Sequence, residues 1–436
     1  MDKQKILKST FLLILVGLIT KIFSSIAKII MARQIGSSAM GIYMLVVPIY
    51  VFFINIIQLS LPTTIATKIA AKPDKTSKIM ITTSFIALII NVIFMIFVVT
   101  LSPFIANIIL KNPSTQLSIM SLALLVPLIS LGGLIKGYYT GIGKIEITAY
   151  AQVSEEIARI LFVVFFSLIF KNAGDHYLAY GAFLSLCAGE IFSLSHMIIS
   201  LPNITDKTKF FFKNFSRKEN YMAKDILNTA IPLTSGKFIS VIAYTLEPII
   251  MTNIMLSLGF ESSYITNEYG VISGYAFPLL LMPGFFANAF SRTLLSPLTC
   301  SISKKDYKGA KKLLVTITSC SLFIGLFFSI ILFSFPKDLM FLLYKNTLGW
   351  KYIKWFSFPI VLYYIEAPLI SAMTAINKTK TIMIYDTISS LSRVLLLMIL
   401  IPRMYMLAVP IATVVSTSIL VLMMLYSLIA FFRKHN

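Results

Sequence analysis

Apolar stretches long enough to cross a bilayer recur from one end of this chain to the other, and no other feature restricts its fold so strongly. A helix rises ~1.5 Å per residue, so about 20 apolar residues are needed to cross ~30 Å of hydrocarbon. Such stretches lie at 6–33, 40–67, 79–101, 114–135, 147–170, 178–201, 226–256, 269–293, 314–335, 355–375, 381–401 and 406–432. Within lipid every backbone N–H and C=O must be satisfied inside the segment, which predicts twelve transmembrane helices and an all-α polytopic membrane protein. Composition agrees, with 57% of the 436 residues hydrophobic, 13% charged and a mean hydropathy of +0.87. Those values exclude a soluble enzyme or an ordinary globular domain.

Little in the chain suggests catalysis. His176, His196 and His435 are scattered, and Cys187, Cys300 and Cys320 sit in apolar segments as small fillers without metal-ligand spacing. No enzyme activity, cofactor or metal is expected. A GxxxxGK[ST] loop is absent, so energy has to come from an ion gradient, the membrane potential or the substrate gradient.

The net charge of +21 is explained by topology and not by a nucleic-acid partner, since no binding module for DNA or RNA is present. Placing the N-terminus in the cytoplasm puts 24 basic residues on the cytoplasmic side and 8 on the other, from Arg33 to Arg403. This asymmetry predicts a multi-pass protein of the cytoplasmic membrane with both termini inside. The first apolar run passes signal-peptide length and carries Lys21, so it reads as a retained helix.

The longest polar interruption, 202–224, separates an N-terminal six-helix bundle (1–201) from a C-terminal one (225–436). Its lysines and Phe210–Phe212 run suit a loop on the anionic inner leaflet. The halves also echo each other: 140–161 aligns with 374–395 at an offset of 234, with five identities that include Lys144/Lys378 and Arg159/Arg393. An even number of helices per half makes the repeat parallel, with a pseudo-two-fold along the membrane normal. Two bundles rocking about a central cavity follow from this.

Six basic residues remain inside the predicted spans, namely Lys21, Lys28, Arg159, Lys237, Arg292 and Arg393. Lys21 and Lys28 are seven apart in FLLILVGLITKIFSSIAKIIMAR and share a face with Ser24 and Ser25. A lysine at the centre of a span costs on the order of 2.5–3.5 kcal/mol, so this face should look into protein or a wet cavity. Snorkelling of Lys28 and an interhelical pair for Lys21 fit the same residues. In the seventh span Lys237 and Glu247 share a broad sector, which places Glu247 opposite Lys21 or Lys28 as a mobile ion pair or a permanent one. Arg292 is a further candidate phosphate contact. Arg159 has Glu155 one turn earlier, and Arg393 has Asp386 nearby, so local pairing explains both. Pro48, Pro278 and Pro283 interrupt equivalent helices of the two halves, where gating bends would be useful.

Particular strings go further than composition. ARQIGSSAMGIYMLVVPIYVFFINIIQLSLPTTIA (32–66), GYYTGIGKIEITAYAQVSEEIARI (137–160) and YGVISGYAFPLLLMPGFFANAF (269–290) resemble, in order, segments of the stage V sporulation protein B-like group. That group lies in the polysaccharide-transporter branch of the multidrug/oligosaccharidyl-lipid/polysaccharide (MOP) exporter superfamily and is related to lipid II flippases. The resemblance implies a bacterial flippase for undecaprenyl-diphosphate-linked saccharides of the cell wall or of polysaccharides, with sporulation as one setting. Basic residues of the first helix would then meet the diphosphate, here Lys21 and Lys28 where arginine is more usual. Ser60 stands where glycine is expected before Leu-Pro. Close relatives often have fourteen helices, so a groove built by a last pair would be missing. The partners implied are the lipid-linked saccharide, the bilayer, a coupling proton or sodium ion, and other cell-wall synthesis proteins. Two rival readings stay open, an ion-coupled multidrug exporter of the same superfamily and a non-transporting scaffold of cell-wall synthesis.

Overall fold

The computed structural model describes residues 3–201 and 220–435; the expected joining stretch 202–224 lies outside them except for its last five residues. Among the described residues the regular structure is helical throughout, without a β-strand. In chain order the helices are α1 (Lys3–Gln58), α2 (Leu61–Ala71), α3 (Thr76–Phe104), α4 (Gln116–Gly141), α5 (Ile145–Ile169), α6 (Asp175–Ile199), α7 (Asn220–Ser257) and α8 (Ser262–Gly270). They continue as α9 (Phe277–Leu281), α10 (Gly284–Ser303), α11 (Tyr307–Ser334), α12 (Pro336–Tyr344), α13 (Trp350–Phe356), α14 (Tyr363–Ala375), α15 (Thr379–Met404) and α16 (Ala408–His435).

Among these residues seven runs are long and apolar enough to cross a membrane, or nine when two bent pairs each count as one. Two of the seven, Ile19–Ala71 and Thr379–His435, extend over 53 and 57 residues, more than twice what one crossing uses. Each of these two runs joins two of the twelve stretches read from hydropathy, and the stretch 147–170, with Glu155, Glu156 and Arg159 close together, is in none of the runs. The protein is an all-α, multi-pass membrane protein. Its lipid-facing surface is plain on α3, where Leu88, Val92, Ile93 and Ile96 are exposed side by side. In water this would be an aggregation-prone patch, and in a bilayer it is solvated by acyl chains.

Two compact units divide the chain, Met1–Ile35 with Leu45–Val241, and Gly36–Met44 with Ile242–Asn436. The halves expected from span order break at 202–224, whereas packing places the boundary inside α7 and gives Gly36–Met44 to the second unit. Glycine explains that small piece. A Cβ on Gly41 would overlap the carbonyl oxygen of Thr266, and one on Gly270 that of Ser37, so the two backbones touch only because both residues lack side chains. The core of the second unit gathers Leu294, Leu298, Leu369, Met373, Val421 and Met424, while Leu61, Ile65, Ile69, Ile79 and Ile226 form a core in the first.

The helix breaks fall partly at the expected residues. Gly36, at φ 78° and ψ 173°, interrupts α1, and the helix runs on through Pro48 to Gln58. Pro48 is therefore not where α1 divides; a left-handed glycine is. Pro278 sits in the first turn of α9, directly after a π-helical turn over Val271–Ala276 and within the continuous helical run Ser262–Leu281. Pro283 lies at the junction of Ser262–Leu281 and Gly284–Ser303, which are bent by 51°. A second bend, of 63°, separates Trp350–Phe356 from Pro359–Ala375.

Ser60 has φ 51° and ψ 22°, the left-handed conformation that glycine adopts without strain, so its backbone accounts for the glycine expected before Leu-Pro. Its hydroxyl accepts a 3.2 Å hydrogen bond from Thr234. A Ser60→Gly variant should gain about 0.5–1 kcal/mol, because the left-handed penalty for a side chain exceeds the entropic penalty of glycine. Thermal unfolding in detergent measures it, and a loss of stability would mean that the hydroxyl contact outweighs the backbone strain.

The sequence repeat is visible as a repeated turn. At the end of α4, Gly143 N–H donates to Thr140 O (3.1 Å) and Lys144 N–H to Tyr139 O (2.9 Å). At the end of α14, Asn377 N–H donates to Thr374 O (3.0 Å) and Lys378 N–H to Met373 O (2.9 Å). Gly143 and Asn377 are both left-handed, at φ 78° and 57°. Each turn is a Schellman motif built at the same step of the repeat, with the two residue types that tolerate this conformation.

Candidate functional site

The charged residues of the first unit converge on α5. Its sequence carries Glu155, Glu156 and Arg159 within five positions, so all three project near one stripe of the helix. Arg159 donates to Glu155 at 2.7 Å and, through its other terminal nitrogen, to both oxygens of Glu156 at 3.0 Å. One guanidinium thus holds two buried carboxylates, using the forked geometry that lysine lacks. Lys136 of α4 reaches Glu155 at 3.4 Å and Glu190 of α6 at 3.9 Å. Gly132, one turn before Lys136, leaves room for Glu190, since a Cβ there would stand 3.1 Å from its Oε2.

Helix α1 brings its lysine face to this cluster. Ser24 hydrogen-bonds Glu156, and Lys28 lies within electrostatic reach of Lys21, Arg159 and Glu156. Lys21 and Lys28 are both exposed, and Ser25 donates its hydroxyl to the Lys21 carbonyl at 3.0 Å. Among the described residues of this unit, Arg159 and Lys136 form ion pairs with the carboxylates, and the Lys21 and Lys28 ammonium groups are in none. The arrangement is a pair of open cations on one helix, backed by a cluster whose carboxylates already have partners. Chemically it can take an anion with more than one charge.

The Arg159 cluster gives a prediction of its own. Arg159→Lys keeps the charge and loses the two-pronged contact, so it should cost about 1–2 kcal/mol. A thermal midpoint equal to that of the native protein would show that the fork carries no weight.

In the second unit the repeat's other arginine also holds a carboxylate, but not the expected one. Arg393 of α15 forms an ion pair with Glu247 of α7, and Tyr269 donates its hydroxyl to the same carboxylate at 3.1 Å. Glu247 therefore has Arg393 as its partner where the sequence pointed to Lys21 or Lys28, and Arg393 reaches past its neighbour Asp386 to another helix. The reason is packing, because Glu247, on the part of α7 after Val241, belongs to the same unit as α15, and its side chain is 3% exposed. Lys237 and Arg292 lie on the backbones of α7 and α10, and their side chains fall outside the description. Pro48 and Pro278 stand within α1 and α9, and Pro283 stands between α9 and α10.

Lys136 is the site residue that sequence reasoning passed over, whereas Glu190 reads from the sequence as a packing or interhelical contact. Lys136 counted as a loop cation, although it precedes the end of α4 at Gly141 by more than one turn. The available signal was Glu190 itself, a carboxylate in an apolar span that needed a cation somewhere.

Comparison with known proteins gives this architecture a family. The family described as "Polysaccharide biosynthesis protein" matches residues 6–295. The chain belongs to that family. Stage V sporulation protein B of Bacillus subtilis (strain 168) is 27% identical over 409 residues, covering 92% of this chain and 79% of that protein. Lipid II flippase MurJ of the same organism is 24% identical over 340 residues, 70% of this chain and 60% of that one. Among solved structures, an inward-facing multidrug resistance MATE family transporter of the MOP superfamily matches with a TM-score of 0.71 at 15% identity, over 97% of this chain and 99% of that one. The inward closed conformation of lipid II flippase MurJ matches with a TM-score of 0.70 at 15% identity, over 97% and 89%. The chain thus has the fold of MOP-superfamily transporters.

Proposed function

We propose that the protein is a flippase that moves a polyprenyl-diphosphate-linked cell-wall or polysaccharide precursor across the bacterial cytoplasmic membrane by alternating access. The observation that carries this reading is the pair of exposed ammonium groups, Lys21 and Lys28, in no ion pair among the described residues and on one face of a helix in an apolar span. Two cations separated by two turns, about 10 Å, suit a diphosphate with its first sugar better than an organic cation. The head group is a polyanion that has to pass ~30 Å of hydrocarbon while its prenyl tail stays in lipid, and a basic surface within the membrane serves that purpose. The relative named as a lipid II flippase supports the same substrate class.

The proposal includes twelve spans in two six-helix halves, both termini in the cytoplasm, and Lys237 and Arg292 as further contacts to the phosphates. Either a proton, a sodium ion or the membrane potential drives the cycle.

The test is transbilayer movement of a fluorescent polyprenyl-diphosphate disaccharide in proteoliposomes holding the full chain, under imposed proton, sodium and potential gradients. Movement above that of protein-free vesicles is expected. If none occurs under any gradient while a cationic dye is exported, the protein is a drug exporter; if neither moves, it is a scaffold.

A further inference from the structure

Both tryptophans of the 436-residue chain, Trp350 and Trp355, line one cavity of the second unit. Its volume is about 570 Å³, within the ~300–1,000 Å³ usual for small-molecule sites. Three separate segments converge on it: the α8 region with Tyr264 and Glu268, α13 with the tryptophans and Tyr352, and the turn after α15 with Tyr405. We propose that this cavity is a saccharide-binding site, in which aromatic faces stack on a pyranose ring and Glu268 with Tyr352 hydrogen-bonds its hydroxyls.

The chemistry fits a sugar better than an apolar ligand or an ion. A pyranose has one face of C–H groups that lies on an aromatic ring and an edge of hydroxyls that needs paired donors and acceptors. Here Trp355, Tyr264 and Tyr405 are 54%, 47% and 47% exposed, so their rings are open to a ligand. Phe260 anchors two of them, stacking on Tyr264 at 5.6 Å between centroids and meeting Tyr405 edge-on at 5.1 Å. On the polar side Tyr352 donates its hydroxyl to Glu268, which fixes an acceptor beside the rings. The Lys337 ammonium sits 4.5 Å from the Trp350 ring centre without lining the cavity, so the cation holds that ring from outside the site.

A membrane-interface belt also uses tryptophan and tyrosine, but it spreads rings around the protein at headgroup level. Rings from three segments gathered about one hydrogen-bonded carboxylate in a single cavity are not so explained. In the orientation proposed above this cavity lies on the outer side of the membrane. That the sugar comes from the flipped lipid rests on the flippase reading; the site itself rests on its own geometry.

Because the sequence has only these two tryptophans among its 20 tyrosines, tryptophan emission excited beyond the tyrosine absorption band reports on this cavity alone. The full chain in detergent is titrated with chitotetraose and with maltotetraose, and with the acyclic mannitol as control. A saturable change in emission with at least one tetrasaccharide, at a midpoint of about millimolar or tighter, and none with mannitol, is the expected result. Glu268→Gln and Tyr352→Phe should each weaken it about tenfold or more. Tyr405→Gly, which suits the positive φ there (φ 53°, ψ −130°), removes a ring without touching the Glu268–Tyr352 bond and should weaken it as well. No saturable change with either sugar, together with no saturation transfer from protein to sugar by NMR, overturns the proposal. So does binding that all three variants leave intact. Neither lipid, diphosphate nor transport enters the measurement, so its failure leaves the flippase reading standing, and failed transport leaves this site standing.

Discussion

Alanine at both Lys21 and Lys28 should lower transbilayer movement of a polyprenyl-diphosphate saccharide by at least ~100-fold in proteoliposomes. A hydrogen bond to a charged group contributes ~1.5–3 kcal/mol, and two such contacts to one diphosphate correspond to a factor of about 10²–10⁴. Folding is not a competing explanation. Removing Lys21, near the middle of its span, relieves ~2.5–3.5 kcal/mol of insertion cost, so the variant should enter the membrane at least as well as the native chain. The carboxylates of α5 keep Arg159, Lys136 and the Ser24 hydroxyl, so no buried charge is orphaned by the change. Arginine at both positions should preserve transport, since the guanidinium fork suits phosphate at least as well as an ammonium. Native-level movement by the double alanine variant would remove the phosphate role from both lysines.

The largest effect on stability should come from the Glu247–Arg393 pair. Removing one partner of a buried ion pair leaves an uncompensated charge, a loss of ~3–5 kcal/mol. Glu247 is 3% and Arg393 20% exposed, and Glu247 also accepts from Tyr269, so Glu247→Ala strands two groups at once. Arg393→Met alone should be as damaging. Glu247→Leu combined with Arg393→Met should recover most of the loss, because a well-filled apolar pair avoids desolvating either charge. Unfolding midpoints of the four proteins in detergent decide it: equal midpoints for the single variants and the native chain would show that the pair is wet and weak.

Much of the helical plan was legible in the residues because the bilayer makes it a local problem. A span is recognisable wherever about 20 apolar residues run together, since its hydrogen bonds close within itself. The Schellman turns at Gly143 and Asn377 are also local, each closed by bonds within six residues, so the repeat survives in geometry where only five identities remain in sequence. Arg159 with Glu155 is the same kind of case, one turn apart on one helix. Pro283 marks a bend for a related reason, while Pro48 does not, because a helix can absorb one missing N–H when its neighbours re-satisfy the carbonyl.

Partner choice between helices was not legible in this way. Glu247 and Arg393 are 146 positions apart, and Asp386 looked nearer to Arg393 only along the chain. Lys136 and Glu190 meet through the packing of α4 on α6, aided by the bare surface of Gly132. The two tryptophans stand five positions apart in sequence, yet their cavity needs Tyr264 and Tyr405 from segments 86 or more residues upstream and 50 or more downstream. The sequence by itself determined that the chain is a helical membrane protein with a repeated plan and a basic first span, because lipid leaves the backbone no other way to satisfy its hydrogen bonds. Only the tertiary structure decided which charges neutralise one another and which stay open, because a carboxylate pairs with whichever cation helix packing brings within reach, at any distance along the chain.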